Sequence, residues 1–341
     1  MNGTLNPFEK NNYLSQTRKI RKLAVEAMNL YSIHPVEIKF IGHTDNTTYR
    51  VTSSNNKKYL LRIHRQSDFD SNGALQEELE WLQFLSKKKF FNVPKPVVSK
   101  NNRVIETAVT VEVGSRHVCL FEWIDGHFID TSVTEKKMFK LGELLANLQT
   151  HISPKKIKHR ISLDAEGLVG SNPKFGSIDS LTGITTRQQK IITQGRQFVL
   201  AKLLKFQKKF PNRLGLIHGD LHFGNILSLK NGELSAIDFD DCGFGFHAYD
   251  LVMPIISLQS ALGERRKQHM QRYLTAFFNG YKSIKSWDND DDEVLVHLRI
   301  ARGMLMLGWI NSQPNNPRLS KILMPRVVSM LKSLKRNYQI T

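Results

Sequence analysis

His218-Gly219-Asp220-Leu221-His222-Phe223-Gly224-Asn225-Ile226-Leu227 runs into Ser228-Leu229, the polar turn Lys230-Asn231-Gly232-Glu233, and a second apolar run from Leu234 to Ile237 that ends in Asp238. Asn-Gly between two apolar runs is the strongest short-range hairpin signal, because both residues tolerate the positive φ of a type I′ turn. A two-residue loop at Asn231-Gly232 sets the register by counting outward. Lys230 then faces Glu233, Leu229 faces Leu234, Ser228 faces Ser235, Leu227 faces Ala236, Ile226 faces Ile237, and Asn225 faces Asp238. Each pair is chemically compatible. Directly opposed side chains have Cβ atoms about 4.5–5.5 Å apart. An amide oxygen and a carboxylate at that spacing are hard ligands that suit Mg²⁺. Asp220 lies upstream of Asn225 in a loop held by glycines and can point into the same space.

An Asp, an Asn five residues on, and an Asp opposite that Asn is the arrangement of a kinase catalytic loop with its metal-binding Asp. His-Gly-Asp-Leu-His-Phe-Gly-Asn-Ile-Leu followed by Ala236-Ile237-Asp238-Phe239-Asp240-Asp241 resembles the aminoglycoside phosphotransferase and choline kinase family. The resemblance covers nearly the whole chain, and around Leu298 to Ile310 it is strongest to the homoserine-kinase and bacterial stress-response Ser/Thr kinase branches. It implies an α+β, bilobal protein-kinase-like fold with a small β-rich N-lobe and a larger helical C-lobe. It implies ATP and Mg²⁺ as well, with Asp220 as the catalytic group and Asn225 and Asp238 on the metal. A rival reading puts His218, Asp220 and His222 on one strand face as Zn²⁺ or Fe ligands. No other cluster in the sequence completes that set, so the two histidines are expected to bond backbone around the loop.

Upstream, residues 15 to 31 carry Ile20, Leu23, Ala27, Leu30 and Tyr31 at helical spacing, covering a small sheet. Strand, turn and strand follow. The family resemblance makes the turn Gly42 to Thr48, with Asn46, a phosphate-covering loop. In the next strand Tyr59, Leu61 and Ile63 share one face, with Leu60, Arg62 and His64 on the other. The resemblance puts Arg62 where kinases keep the cation that holds the nucleotide phosphates. Arg replaces the protein-kinase Lys there, and its forked donors can clamp phosphate oxygens. Glu78, on a helix over 73–88, is the implied partner of that cation, with Glu77 and Glu80 flanking it. Residues 1–121 form the N-lobe on this reading and 122–126 the hinge, where Glu122 and Ile124 offer backbone groups to adenine. The C-lobe takes 127–341, with the catalytic loop at 218–227 and the metal-site hairpin at 226–238.

Further along, Leu141 to Gln149 reads as the helix after the hinge, and Gln149 stands where many family members have His. Residues 153 to 184 are rich in Pro, Gly and Ser and aperiodic, which suggests a long loop and a candidate substrate lid. Asp250 begins a helix and reads as a structural carboxylate, one that either suits the helix N-terminus or ties down the catalytic loop. Arg302 and Trp309, seven residues apart on one helix face, are candidate substrate contacts, since the family's C-terminal helices form the acceptor side.

Composition narrows the alternatives. The chain of 341 residues is 40% apolar and 23% charged, ample for a core. Its two cysteines, Cys119 and Cys242, sit in apolar contexts and read as reduced thiols of a cytoplasmic protein. No signal-peptide core or membrane-length apolar run occurs. The net charge of +18 invites nucleic acid, yet the Lys and Arg residues are dispersed at solvent-facing spacing, without zinc-finger or RNP-like motifs. No specific nucleic acid and no membrane partner is expected. The expected activity is transfer of the ATP γ-phosphate to a hydroxyl of a small molecule, with a Ser/Thr protein kinase, or a non-catalytic nucleotide-binding or nucleic-acid-binding protein, as alternatives. Oligomeric state is open.

Overall fold

The structure, a computed structural model, describes residue 8 and residues 11–43, 46–65, 72–88, 91–151, 157–171, 173–262, 269–313 and 317–340. Thr44 and Asp45 of the expected phosphate loop, and the basic residues at 155–156 and 265–267, lie outside the described residues. The chain divides into two compact units, Met1–Asp125 and Gly126–Thr341. Among the described residues no helix is long and apolar enough to cross a membrane.

In the first unit, Asn12 caps helix α1 (Tyr13–Met28) by accepting from the Ser15 N–H. Its buried face carries Ile20, Leu23, Ala24, Ala27 and Met28, the stripe that a 3.6-residue period creates. Strands β1 (Pro35–His43), β2 (Thr47–Ser53) and β3 (Lys58–Ile63) precede helix α2 (Asn72–Ser86). Strands β4 (Glu106–Thr110) and β5 (Gly114–Glu122) complete an antiparallel sheet in the order β1-β2-β3-β5-β4. Alternation sorts β3: Leu61 and Ile63 join Leu23, Ala27, Tyr31, Tyr49 and Val51 in the core under α1. Arg62 points the other way, to Glu78 of α2.

The second unit starts with strand β6 (His127–Phe128) and helix α3 (Glu135–Thr150), whose cap Thr134 accepts from the Lys137 N–H. Strand β7 (Ile161–Leu163) and helix α4 (Ala165–Val169) lead to helix α5 (Thr186–Lys209), opened by a Thr185–Gln188 capping box. Strands β8 (Leu214–Ile217), β9 (Ile226–Ser228), β10 (Leu234–Ala236) and β11 (Gly243–Phe246) flank the motif. Four helices finish the chain: α6 (Tyr249–Leu262), α7 (Met270–Lys282), α8 (Asn289–Asn311) and α9 (Pro317–Tyr338). Residues 218–225 run from β8 to β9, and so join two three-stranded sheets, β7-β11-β8 and β10-β9-β6. Cys119 and Cys242 are buried, and no disulfide joins them among the described residues.

Two local expectations change. The stretch from 153 to 184 is not a lid-like loop in its described part. β7 pairs in parallel with β11, and Leu163, Ala165, Leu168, Val169, Ile178 and Leu181 are buried. A three-residue strand is too short to show a period, and its partners lie far downstream in sequence. Arg160 Nε donates to Cys242 O at 2.7 Å, another Arg160 nitrogen donates to Asp240 O, and Lys174 pairs with Asp241. The segment is a strap tied to the residues just after Asp238.

The hairpin register is also one residue off the expected one. Leu234 pairs with Ser228, Ser235 with Leu227 and Ala236 with Ile226. Asn231 keeps a negative φ, and only Gly232, at φ +78°, takes the left-handed region. Gly232 N–H bonds Leu229 O, Leu229 N–H bonds Glu233 O, and the Asn231 side chain accepts from the Glu233 N–H. That is a three-residue loop closed by a glycine bulge. Asn225 therefore faces Ile237, whose N–H bonds Asn225 O at 2.9 Å, rather than Asp238.

Candidate active site

β8 delivers the chain into a loop whose backbone is fixed from outside. His218 N–H and Gly219 N–H donate to the two carboxylate oxygens of Asp250, at 2.9 and 2.7 Å. Asp250 is 1% exposed. Burial raises its pKa, and the neighbouring His218, these two N–H bonds and Gln149 act against that rise. Gly219 sits at φ +84°, and a Cβ there would lie 2.3 Å from Asp241 O, so glycine alone fits. The buried His218 ring bonds Ile237 O through Nε2 at 3.1 Å and lies 4.6 Å from the Phe239 ring. Burial pushes its imidazole down, so it stays neutral.

Gln149 does more than fill space. Its Nε2 donates to His247 O at 2.8 Å and its Oε1 accepts from Tyr281 Oη–H at 2.7 Å. Burial, with Lys285 and Arg213 nearby, pushes the His247 imidazole down to about 3 from 6.5. Below 6.5 the unfolded chain takes up a proton that the folded chain refuses until about 3. Stability from this group is thus complete above 6.5 and lost as pH falls toward 3. We expect unfolding free energy to drop by about 2 kcal/mol from this group between neutrality and mild acid near pH 5. Urea titrations at both pH values should show a smaller drop in His247→Gln; an equal drop would exclude this group as the source.

Asp220 follows the glycine. Arg302, from α8, donates from Nη2 to its Oδ1 at 2.7 Å. Its Oδ2 lies 3.7 Å from His222 Nε2, beyond hydrogen-bond distance. His222 Nδ1 accepts from the Gly224 N–H at 2.9 Å, which places the ring proton of a neutral imidazole on Nε2. Asn225 Nδ2 donates to Asp220 O at 2.9 Å, so the amide oxygen is the end left for a cation. Asp238 leaves the ladder one residue past Ile237 in the left-handed region, at φ 64° and ψ 70°. That conformation costs a non-glycine residue about 1–2 kcal/mol and persists where surroundings enforce it.

An amide oxygen and a carboxylate fit Mg²⁺, which takes one or two protein oxygens and completes its shell with water and phosphate. Among the described residues no three His, Cys, Asp or Glu side chains gather as a metal site. His218 bonds Ile237 O and His222 Nδ1 accepts from the Gly224 N–H, the backbone bonds around the loop that were expected of the two histidines.

The other candidates are distributed as follows. Arg62 Nη1 donates to Glu78 Oε1 at 2.8 Å, with both side chains buried, and Arg62 Nε donates to His64 Nε2 at 3.2 Å. The guanidinium also lies over the Phe121 ring, 5.1 Å from its centre. Asn46 sits at the turn into β2. Glu122 belongs to β5; its N–H is committed to Lys95 O and the Trp123 N–H to Lys58 O. Of the Glu122 backbone groups expected to face adenine, the N–H is therefore engaged at Lys95. Trp309 is half-buried two turns beyond Arg302 on α8. Arg302, expected at the substrate, is bonded to Asp220. Sequence reading missed Tyr249, whose hydroxyl receives Arg302 Nη1 at 3.2 Å, and missed Arg160 and Lys174 on the strap. Only proximity of Tyr249 to Asp250 in sequence hinted at the first.

Comparison with known proteins agrees with this geometry. The model of the phosphotransferase enzyme family matches residues 37–287. Amicoumacin kinase of Bacillus subtilis (strain 168) is 24% identical over 305 residues, covering 85% of this chain and 84% of its own. The structure of a microcompartment-associated aminopropanol kinase superposes with a TM-score of 0.77 at 25% identity, covering 92% of this chain and 97% of that one. An amicoumacin kinase solved with AMP-PNP, Ca²⁺ and Ami gives 0.75 at 20% identity, covering 92% and 96%. A β-sheet N-terminal unit, a helical C-terminal unit and this loop constellation thus have one common source: the chain belongs to the phosphotransferase enzyme family, kinases of protein-kinase-like fold.

Proposed function

We propose that this protein transfers the γ-phosphate of ATP to a hydroxyl of a small molecule of the amino alcohol, amino acid or sugar class. The observation that carries the reading is the Asp220 carboxylate, with Oδ1 held by Arg302 and Oδ2 3.7 Å from His222 Nε2, beyond hydrogen-bond distance of it. Oδ2 is the base: it takes the proton of the acceptor hydroxyl as that oxygen bonds the γ-phosphorus. The bond from that phosphorus to the β,γ-bridging oxygen breaks, ADP leaves, and the proton stays on Asp220. Mg²⁺, held by Asn225 and Asp238, would neutralise phosphate charge when bound. Arg62, oriented by Glu78, grips phosphate oxygens of the nucleotide, and Ile124 offers its backbone to adenine. Asn46, in the turn before β2, covers the phosphates.

The small-molecule acceptor is supported by the relatives, named as amicoumacin kinase, aminopropanol kinase and ethanolamine kinase. The test is ATP consumption over hydroxyl-bearing metabolites and Ser/Thr peptides, with and without Mg²⁺. Mg²⁺-dependent turnover with a metabolite is the expected result. Turnover confined to peptides would make it a protein kinase, and none with any acceptor would leave a nucleotide-binding scaffold.

A further inference from the structure

A guanidinium carries five donors in a rigid fork. In Arg302 the terminal nitrogens are divided between two partners: Nη2 to Asp220 Oδ1 at 2.7 Å, Nη1 to Tyr249 Oη at 3.2 Å. Arg302 is 8% exposed and Tyr249 1%. Burial by itself disfavours the charged guanidinium, but Tyr249 and Asp220 outweigh it and hold its pKa above the ordinary value. The cation is permanent. Arg302 Nε has no hydrogen-bond partner among the described residues. An open buried donor costs about 1–3 kcal/mol, so the contact is a poor stabilising device.

The start of α6 makes the arrangement specific. Asp250 holds the backbone of the catalytic loop at His218 and Gly219. Its neighbour Tyr249 seats the arginine that holds the catalytic side chain. Two consecutive residues thus fix the main chain and, through Arg302, the carboxylate.

We propose that Arg302 is a positioning residue for Asp220, seated by Tyr249, and not a contact for the acceptor. The proposal rests on the kinase reading above for its catalytic consequence. By occupying Oδ1 it forces the acceptor hydroxyl to Oδ2 and holds the carboxylate in one rotamer. Misplacing a reacting group by about an ångström costs about 10²-fold in rate.

Arg302→Ala is therefore expected to lower kcat about 10²-fold, with KM for acceptor and for MgATP within about twofold of wild type. Guanidinium ion at sub-denaturing concentration, filling the vacated space, should restore about tenfold of that loss, a response a purely structural defect does not give. Arg302→Lys keeps charge without the fork and should fall between the two, and Tyr249→Phe should lower kcat severalfold. A raised acceptor KM at unchanged kcat would make Arg302 an acceptor contact, and loss of MgATP binding without guanidinium rescue would make it structural; either overturns the proposal. A second arm needs no turnover. Thermal shifts of Arg302→Ala and Asp220→Ala should be non-additive, the double variant unfolding no lower than Arg302→Ala, because each single change breaks the same contact. Additive shifts overturn the proposal, whereas wild-type binding of MgATP without turnover of any acceptor defeats only the kinase reading.

Discussion

Asp220→Asn is expected to lower kcat by about 10²–10⁴-fold, the usual share of a general base, while MgATP affinity stays within about twofold. The amide keeps the volume of the carboxylate and can still accept from Arg302 through its oxygen. What it loses is a site for the acceptor's proton. Asp220 Oδ1 is already engaged, so no second carboxylate oxygen substitutes for the one removed. Asp238→Ala is the complementary control, expected to weaken MgATP binding itself because it removes a proposed ligand of the metal. Rates from acceptor titrations and affinities from calorimetry separate the two. Asp220→Asn with a wild-type kcat would remove Asp220 from the chemistry, and with it the observation on which the proposed function stands.

What could be read from the sequence was what is contiguous in it. From His218 to Asn225 one loop supplies the proposed base, the glycine at positive φ and the amide, so the motif sits in contiguous sequence. Helix α1 was legible because Ile20, Leu23 and Ala27 recur at helical spacing, and the structure buries all three. The hairpin after Asn225 was legible as a hairpin but not in register. Asn-Gly permits both the two-residue and the bulged three-residue loop, and the choice is made by whether Asn231 takes positive φ, which local sequence does not decide. The one-residue slip puts Ile237 opposite Asn225 and gives Asp238 its left-handed backbone outside the ladder.

Contacts made across long sequence separations were invisible for a different reason. β7 has three residues and exists because β11 completes it. Arg302 was singled out by helix face, yet the bond it makes spans 82 residues to Asp220, and no periodicity encodes a partner. Gln149, which stands where many family members have His, joins His247 O to the Tyr281 hydroxyl, partners that no local pattern encodes. The fold was carried by patterns with a period, the site by a motif, and the coupling between elements by tertiary geometry alone.

The buried Arg62–Glu78 pair offers the sharpest separation of stability from function. Glu78 is fully buried and bonds Arg62 at 2.8 Å. Removing one member of such a pair strands the other charge and typically costs about 3–5 kcal/mol. Glu78→Leu should therefore destabilise the protein by about that amount in urea denaturation. Arg62→Met added to Glu78→Leu removes the stranded cation, and well-packed apolar replacements of buried pairs are neutral or stabilising by about 1–4 kcal/mol. The double variant is expected to unfold near the wild-type midpoint. Loss of the aromatic contact with Phe121, 5.1 Å from the guanidinium, offsets part of the recovery. Nucleotide binding should not return with stability, because the cation proposed to grip the phosphates is gone. Stability regained with MgATP affinity still lost assigns Arg62 to the nucleotide; a stable double variant that binds MgATP as tightly as wild type would reduce the pair to a structural cross-link between β3 and α2.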